Sequence, residues 1–363
     1  MTHTQTLDGL RGVPVAVRSE RPEADFAVRG VSDAAAREVY VRVRSALSAL
    51  GREDELRGVV TLDGAPGAAG DVAVAVAGIG ADAGDVVLLG ELALDGRLRP
   101  VRGVYPHVAA ARDRGVPIIV PRVQAREAGV VEGATVYAAE SLGDVLAHVE
   151  GGARLDVCEP TAVTPREPDE LFDGTRPYVG ARAQLADALG AGHWRVLFVA
   201  APGTGRTVLA RDALTVLGAL TAEEVLDVTA VHSVAGLLDP DVGYSGARPF
   251  RAPHHTISVG GLVGGKRPGE VSLANHGVLL LDEVTEFRRA VLETFWTTLG
   301  RGVAGADYPA RPRLVLASAT RCACGYAGSG RRQCGCTEQS RARYDKRLAE
   351  VASSFDATVE WSS

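Results

Sequence analysis

The chain has 363 residues, of which 46% are hydrophobic and 23% charged, so it is long enough and apolar enough to form two hydrophobic cores. Its formal net charge of −6 excludes an overall basic field of the kind that holds nucleic acid and leaves only a local patch for that purpose. The first residues lack the regions of a secretion signal, and no apolar run approaches the about 20 residues of a membrane span, so we expect a cytoplasmic protein with no membrane contact.

Residues 1–152 predict a small α/β domain. Ser32 is suited to cap a helix that Gly51 ends, and its apolar residues recur at helical spacing: Val39, Val43, Ala46, Leu47 and Leu50. The dipeptide Asp95-Gly96 predicts a tight hairpin turn because both residue types accept positive φ angles. The other predicted elements are strands at 58–62, 86–89 and 117–120 and helices at 108–114 and 142–149.

A proline-rich, acidic stretch follows and predicts an interdomain linker over residues 153–177. Within it, residues 158–170 contain prolines at 160, 165 and 168, which have no backbone N–H to offer a helix or a sheet. The second domain is therefore expected to span residues 178–363.

The second domain predicts a largely parallel sheet. Apolar runs that fit buried strands occur at 195–199, 277–281 and 313–317. Thr221 and Glu224 form a capping-box pattern ahead of a helix that reaches His232. Because strands alternate with helices, we expect helices on both faces of the sheet and a ligand site at the carboxyl ends of its strands.

The residues after the first of these strands resemble a phosphate-binding loop. In the pattern G-x-x-x-x-G-K-[ST], backbone N–H groups and a helix N-terminus surround the phosphates, the lysine reaches the outer phosphates and the hydroxyl holds magnesium. Here Ala200 replaces the first glycine and Arg206 replaces the lysine, whereas Thr207 keeps the hydroxyl. The residues predicted to bind the nucleotide are Pro202, Gly203, Thr204, Gly205, Arg206, Thr207 and Val208.

Two carboxylates end the strand at 277–281. Asp282 is placed to hold Mg²⁺ through water, and Glu283 is placed to polarise an attacking water molecule as a catalytic residue. A phosphate loop followed by such a strand predicts a site for ATP and Mg²⁺ more strongly than either motif alone.

Four of the five cysteines lie within fifteen positions: Cys322, Cys324, Cys334 and Cys336. In a cytoplasmic chain, clustered thiols favour a metal over disulfides, and four thiolates suit tetrahedral Zn²⁺. The alternative is a set of reduced thiols in a loop. Bound zinc would order the glycine-rich residues 325–330, which have little apolar content of their own.

Several of these segments together resemble the magnesium-chelatase-like AAA+ ATPases, a family that includes competence-associated DNA branch-migration helicases. The resemblance covers nearly the whole chain and rests on Arg248-Pro-Phe-Arg-Ala-Pro-His-His255, Leu262-Val-Gly-Gly265, Arg267-Pro-Gly-Glu-Val-Ser-Leu-Ala274, the Asp282-Glu283 strand, the cysteine segment, Val41-Arg-Val-Arg-Ser-Ala-Leu47, Leu89–Gly103 and Ile119-Val-Pro121. It implies an N-terminal Lon-protease-like α/β domain followed by an AAA+ P-loop NTPase core.

The Lon-like resemblance does not imply proteolysis. Where Lon proteases carry the nucleophilic serine and its activating lysine, this sequence has Ala69 and Tyr105. Without a nucleophile and a base there is no acyl transfer, so we expect a structural or partner-binding domain and not a protease.

The resemblance also implies ATPase groups that this sequence lacks. The family's sensor asparagine matches Thr320, a candidate catalytic residue with a shorter reach, and the arginine offered to a neighbouring subunit matches Ser354. The sequence ends at Ser363, before the position of the family's helical lid. These departures predict a nucleotide-binding protein with weak or lost ATP hydrolysis. The alternative is a catalytically silent scaffold or regulator, and magnesium insertion into porphyrins is a third interpretation.

The family resemblance implies a homo-oligomeric ring, a hetero-oligomer with an intact paralogue, and DNA as a partner. A local basic stretch suits a phosphate backbone, although a solvated helix face explains it almost equally well: Arg331, Arg332, Arg341, Arg343, Lys346 and Arg347. His254 and His255 suit contact with nucleotide, DNA or a neighbouring subunit, or a turn held by local hydrogen bonds. As neighbours in an extended segment they are expected to point in opposite directions.

Overall fold

The computed structural model of the chain describes residues 2–169, 178–328, 330 and 332–361, with backbone alone for Arg21 and Pro22. Residues 170–177 of the predicted linker, and Arg331 of the basic stretch, lie outside the described residues. The chain divides into two compact units. Unit 1 comprises Met1–Val163 and His232–Ser245, and unit 2 comprises Thr164–Val231 and Gly246–Ser363.

The described residues of unit 1 form a seven-stranded mixed sheet, in the order β3-β4-β2-β1-β5-β8-β9, and a separate two-stranded hairpin, β6-β7. The strands are β1 Thr2–Asp8, β2 Arg11–Asp25, β3 Ala27–Arg29, β4 Arg57–Leu62, β5 Val87–Leu88, β6 Glu91–Leu92, β7 Leu98–Arg99, β8 Ile118–Pro121 and β9 Val136–Ala139. The helices are α1 Asp33–Ala49, α2 Asp71–Gly78, α3 Val104–Asp113, α4 Ala125–Gly129 and α5 Leu142–Val149.

The predicted elements of unit 1 are present, with shifted ends. Ser32 caps α1, where its side chain accepts a hydrogen bond from the N–H of Ala35, and the predicted apolar residues of α1 are buried except Leu50. The Asp95-Gly96 turn joins β6 to β7. Helix α3 begins four residues earlier than predicted, because Pro106 lies in its first turn, where a missing N–H breaks no intrahelical hydrogen bond.

The described residues of unit 2 form a five-stranded sheet in the order β11-β12-β15-β10-β16, and every neighbouring pair is parallel. The strands are β10 Arg195–Ala200, β11 Phe250–Arg251, β12 Val278–Leu281, β15 Leu314–Ala319 and β16 Ala357–Trp361, with a hairpin of β13 Val303–Ala304 and β14 Tyr308–Pro309. The helices are α6 Val179–Gly190, α7 Arg206–Leu217, α8 Ala222–Ala235, α9 Val259–Val263, α10 Glu270–Leu273, α11 Arg289–Arg301 and α12 Glu338–Ala352; the last four residues of α8 belong to unit 1.

The central strands of this sheet are buried on both faces. In β10, Leu197 and Val199 pack into one apolar cluster, whereas Val196 and Phe198 pack into another. This explains why the three runs read as continuously apolar instead of alternating. The α/β class and the parallel sheet expected from the sequence are confirmed. The predicted capping box is also present, because Thr221 and Glu224 exchange backbone-to-side-chain hydrogen bonds at 3.0 and 3.2 Å.

The strand order brings three loops together. Strand β15 lies between β10 and β12, and in register Val199 faces Ala319 while Leu281 faces Ala317. The carboxyl ends of these parallel strands therefore meet at one edge of the sheet, where ligands bind in folds of this type.

Candidate functional site

The phosphate loop leads from β10 into the N-terminus of α7. Gly203 and Gly205 have φ angles of 75° and 88°, in the left-handed region that favours glycine. At Gly205 a Cβ would lie 2.7 Å from the Tyr178 ring, so the ring packs where only glycine fits. The first hydrogen bond of α7 runs from the N–H of Leu209 to the carbonyl of Gly205, so the preceding N–H groups have no acceptor within the helix and suit phosphate oxygens.

Neighbouring side chains hold this loop in place. The buried Thr204 donates its hydroxyl to the carbonyl of Ala201 at 2.8 Å. The indole of Trp361, in β16, donates to the carbonyl of Thr204 at 3.3 Å and packs edge-on against Phe198. Thr207 is exposed, so its hydroxyl is available to a magnesium ion.

Arg206 opens α7 and is half-buried. Its Nη1 atom is enclosed and has no hydrogen-bond partner among the described residues. Burying a charged donor without an acceptor is costly, whereas a phosphate oxygen would satisfy it with a charge-assisted hydrogen bond. The loop therefore fits a phosphate group, although it carries arginine where the pattern has lysine.

The two carboxylates follow β12 as predicted. Ser318, in β15, donates its hydroxyl to Oδ1 of Asp282 and accepts a hydrogen bond from the N–H of Glu283 at 3.1 Å. Glu283 has a φ angle of 55°, and 52% of its side chain is exposed, with His255 Nδ1 at 3.8 Å from its Oε2. The sequence interpretation missed Ser318, for which the signal was one hydroxyl in an otherwise apolar strand.

The histidine pair departs from expectation. The rings of His254 and His255 lie 4.0 Å apart, so the prediction that they point in opposite directions is wrong. The chain turns here instead of running extended, with the N–H of Ile257 bonded to the carbonyl of His254. His254 also contacts the Thr256 hydroxyl at 2.9 Å, as expected of a locally bonded turn.

The hydroxyl of Thr320, at the sensor position, is engaged in local contacts. It donates to the carbonyl of Cys322 at 2.8 Å and lies 2.9 Å from the hydroxyl of Tyr344, on α12. Tyr344 also donates to the Thr320 carbonyl at 3.0 Å and lies 3.3 Å from the hydroxyl of Thr285, two residues after Glu283. Nothing in the sequence pattern indicated this tyrosine.

The four clustered cysteines converge. Their sulfur atoms all lie within 4.8 Å of one another, and three of the separations are 3.4, 3.6 and 3.7 Å. Tetrahedral zinc with Zn–S bonds of about 2.3 Å places its sulfur ligands about 3.8 Å apart. Backbone N–H groups of Tyr326 and Gly335 lower the pKa of the Cys324 thiol to about 6, whereas the neighbouring thiols raise the pKa of Cys336 to about 12, so in the absence of metal Cys324 is the thiolate. The geometry and donor set fit a divalent thiolate-binding metal.

The segment that matches the family's arginine finger leads into β16, and its last residue is hydrogen-bonded to the start of β10. The N–H of Ser354 bonds to the carbonyl of Val351 in a turn after α12. Asp356 accepts hydrogen bonds from the N–H groups of Trp194 and Arg195 at 3.1 and 3.0 Å, and the Arg195 guanidinium lowers its pKa. Ser354 presents no positive charge at this position.

In unit 1 the Lon-like residues lie in apolar surroundings. Ala69 and Tyr105 both pack against the cluster formed by β5, β8 and α3. The adjacent Asp71 is buried, yet it accepts two hydrogen bonds from Arg42 at 2.6 and 3.0 Å and one from the N–H of Leu92. Its polar atoms are thus satisfied within unit 1.

The basic stretch is exposed on α12. Arg341, Arg343 and Lys346 face solvent, whereas Arg347 donates to the carbonyl of Phe287 at 3.0 Å. Within the described part of the chain, no helix has both the length and the apolar character needed to cross a membrane.

A parallel sheet with a phosphate loop after one strand and a carboxylate pair after another defines an AAA+ P-loop ATPase-type protein. Residues 180–361 match the family model for magnesium chelatase, subunit ChlI, and residues 13–124 match that for subunit ChlI of Mg-chelatase. The chain therefore belongs to the magnesium-chelatase-like family, in the branch that contains YifB and ComM.

Three relatives illustrate this membership. Uncharacterized protein Rv2897c of Mycobacterium tuberculosis is 38% identical, over 88% of this chain and 68% of its own length. YifB of Escherichia coli is 32% identical, over 99% of this chain and 75% of its own. Competence protein ComM of Haemophilus influenzae is 34% identical, over 74% of this chain and 55% of its own.

Proposed function

We propose that this protein binds MgATP at the carboxyl edge of the unit 2 sheet and hydrolyses it slowly or not at all. The Nη1 of Arg206 carries the proposal, because it is an enclosed, charged donor at a helix N-terminus and has no hydrogen-bond partner among the described residues. A phosphate-bearing ligand supplies the acceptor that the described residues of unit 2 do not.

The proposed roles follow the positions of the residues. Backbone N–H groups of residues 203–208 bind the phosphates, and Arg206 pairs with their outer oxygens. Thr207 and Asp282 hold Mg²⁺, and Glu283 orients water. Magnesium, when bound, neutralises charge that develops on the phosphates during transfer.

Weak hydrolysis follows from two positions. The hydroxyl of Thr320 is committed to Cys322 and Tyr344, so it is not free to orient water. Ser354 stands where a guanidinium worth about a thousandfold in rate acts in related sites. The same two observations favour the second candidate function, a catalytically silent scaffold or regulator that uses the fold for protein contacts.

Calorimetry of ATP and ADP binding in the presence of magnesium tests the proposal, with phosphate release measured on the same samples. We expect binding by the natural chain and by Arg206→Lys, with little release. Arg211→Lys is the matched control, since Arg211 lies on the same helix but stacks on Phe250 at 4.6 Å. Absence of binding in both the natural chain and Arg206→Lys would contradict nucleotide binding and favour the scaffold function. Rapid release of phosphate would contradict weak hydrolysis.

We further propose that the protein acts in the cytoplasm as a ring, or with an intact paralogue, on DNA. The exposed basic residues of α12 support a phosphate-backbone contact. DNA binding should then weaken steeply with salt, and reversing charge at Arg341 and Arg343 should reduce the salt slope by about 2. An unchanged salt slope would show that α12 does not contact DNA. Sedimentation in the presence of MgATP would measure the oligomeric state.

We also propose that the four clustered cysteines hold one structural Zn²⁺. The sulfur separations and the N–H groups directed at Cys324 support it. Metal analysis of the purified protein should give one zinc per chain, lost on Cys334→Ser together with Cys336→Ser. Cys158→Ser, in unit 1, is the matched thiol control. A metal-free, folded natural protein would contradict this proposal.

A further inference from the structure

The cysteine cluster lies directly against the phosphate loop. Gly325, one residue after Cys324, has a φ angle of 80°, and a Cβ there would lie 2.8 Å from Cγ of Pro202. Only a glycine allows the two segments to approach so closely. The turn that carries the first cysteine pair is therefore a wall of the proposed nucleotide site.

The same turn fixes the sensor position. The carbonyl of Cys322 accepts hydrogen bonds from the hydroxyl of Thr320 at 2.8 Å and from the N–H of Gly325 at 2.9 Å. Cys322 is itself fully buried, and its sulfur accepts from the N–H of Ala327 at 3.3 Å. Displacing Cys322 would disturb Thr320 and Gly325 together.

The second cysteine pair lies just before the start of α12. Cys336 lies one residue before Thr337, which caps α12, and α12 carries Tyr344. The Tyr344 hydroxyl contacts Thr320 and lies 3.3 Å from Thr285, which follows the carboxylate pair. A metal held by both pairs would thus fix the end of β15, the start of α12 and the wall of the phosphate loop relative to one another.

We infer that metal binding at the cysteine cluster is thermodynamically coupled to nucleotide binding at the phosphate loop. Bound Zn²⁺ orders the phosphate loop through the contact of Gly325 with Pro202. Residues 325–335 have few apolar side chains with which to order themselves, so metal ligation supplies the constraint. The coupling is reciprocal, so a bound nucleotide should tighten zinc binding by the same factor. The nucleotide half of this inference rests on the proposed function.

The test compares protein loaded with one equivalent of Zn²⁺ with protein stripped by a chelator. Stripping should weaken MgADP binding by about tenfold, a coupling of ordinary size. Hydrogen exchange of the 198–208 amides, measured without nucleotide, should be faster in the stripped protein. The exchange measurement reports the phosphate loop directly, so it still tests whether zinc orders that loop if the loaded protein binds no MgADP and the proposed function fails.

Gly325→Ala separates packing from metal loss. It keeps all four thiols, so it should still bind one zinc, yet it should bind MgADP about tenfold more weakly and exchange its loop amides faster. Gly330→Ala is the matched control, because Gly330 also has a positive φ angle, 65°, but a Cβ there meets nothing within 4 Å. Unchanged loop exchange and MgADP affinity in zinc-loaded Gly325→Ala would overturn the inference, as would unchanged values in stripped protein that stays folded.

Discussion

Each unit carries a glycine-containing turn that leads into a helix. The two turns differ in whether the charged side chain that follows them has hydrogen-bond partners. In unit 1 the turn Gly67–Gly70 is packed by its own chain: a Cβ at Gly70 would lie 2.6 Å from Pro66, and Ala69 contacts an apolar cluster. In unit 2 the turn at Gly203–Gly205 leads to Arg206, whose Nη1 is enclosed and unpartnered among the described residues.

The difference extends to the first residue of each helix. Asp71 is buried, which raises its pKa, but Arg42 and the N–H of Leu92 satisfy its oxygens. The part of the chain that the structure describes offers no such partner to Nη1 of Arg206. An aspartate whose oxygens are satisfied internally needs no ligand, whereas an enclosed arginine nitrogen with no partner among the described residues is stabilised by an anion. The contrast supports the proposal that unit 2 binds the ligand and that unit 1 has a structural role.

The largest effect on stability is expected when a buried arginine with hydrogen-bond partners is replaced, compared with one whose enclosed nitrogen has none among the described residues. Arg248 donates to the carbonyls of Gly218 and Ala219 at 2.9 and 2.8 Å and to that of His276, so Arg248→Met should lower the free energy of unfolding of unit 2 by about 3 kcal/mol. Arg206→Met should change it by less than about 0.5 kcal/mol without nucleotide.

Urea unfolding followed by tryptophan fluorescence measures this pair of variants, since all three tryptophans, at 194, 296 and 361, lie in unit 2. Equal destabilisation by the two substitutions would show that Arg206 is a structural residue, and the contrast between the turns would fail.

The buried histidine of unit 1 should make the stability of that unit depend on pH. His107 is fully buried beside Gln5, and desolvation lowers its pKa to about 3. Unfolded histidine, with a pKa of about 6.5, takes up a proton as pH falls from 7 to 5 while the folded side chain does not. The free energy of unfolding should therefore fall by about 2 kcal/mol over this range.

Native-state hydrogen exchange of the α3 amides, corrected for intrinsic rates at each pH, measures the effect. His107→Asn keeps an amide donor near Gln5 but cannot titrate, so the difference from the natural chain isolates this residue. The same pH slope in both proteins would show that His107 does not remain neutral in the folded state.

Gly205→Ala tests the geometry of the phosphate loop. A residue with a Cβ is strained at a φ angle of 88° and meets the Tyr178 ring, so unit 2 should lose about 1.5 kcal/mol of stability together with nucleotide affinity. Gly190→Ala, at the end of α6 with nothing within 4 Å, is the matched control and should be neutral or slightly stabilising. Equal tolerance of alanine at both positions would argue against the loop as described.

The smallest effect is expected at Ala69. Restoring the hydroxyl by Ala69→Ser should change the stability of unit 1 by at most about 0.5 kcal/mol, because the side chain is only half-buried. The new serine should not react with a fluorophosphonate probe, since Tyr105 supplies no amine base. Labelling at position 69 would show that unit 1 still holds an activating group.

Local sequence patterns predicted the fold and the backbone of the site. They could not predict side-chain contacts between residues that are far apart in the sequence. The apolar runs of β10, β12 and β15 and the glycines of the loop are signals within a few residues of one another. Ser318 and Tyr344 act across 36 and 24 positions on Asp282 and Thr320, so their roles depend on strand order and on the placement of α12. The close approach of the His254 and His255 rings requires a turn, which the alternation rule for extended chains does not describe.

Hydrogen exchange across the whole chain, with and without saturating MgATP, tests the contrast between the two turns most directly. Slower exchange is expected in peptides that cover 200–209 and 281–285 and no change in those that cover 66–72. Protection confined to unit 1, or none in either turn at a concentration that saturates related sites, would contradict the assignment of nucleotide binding to unit 2.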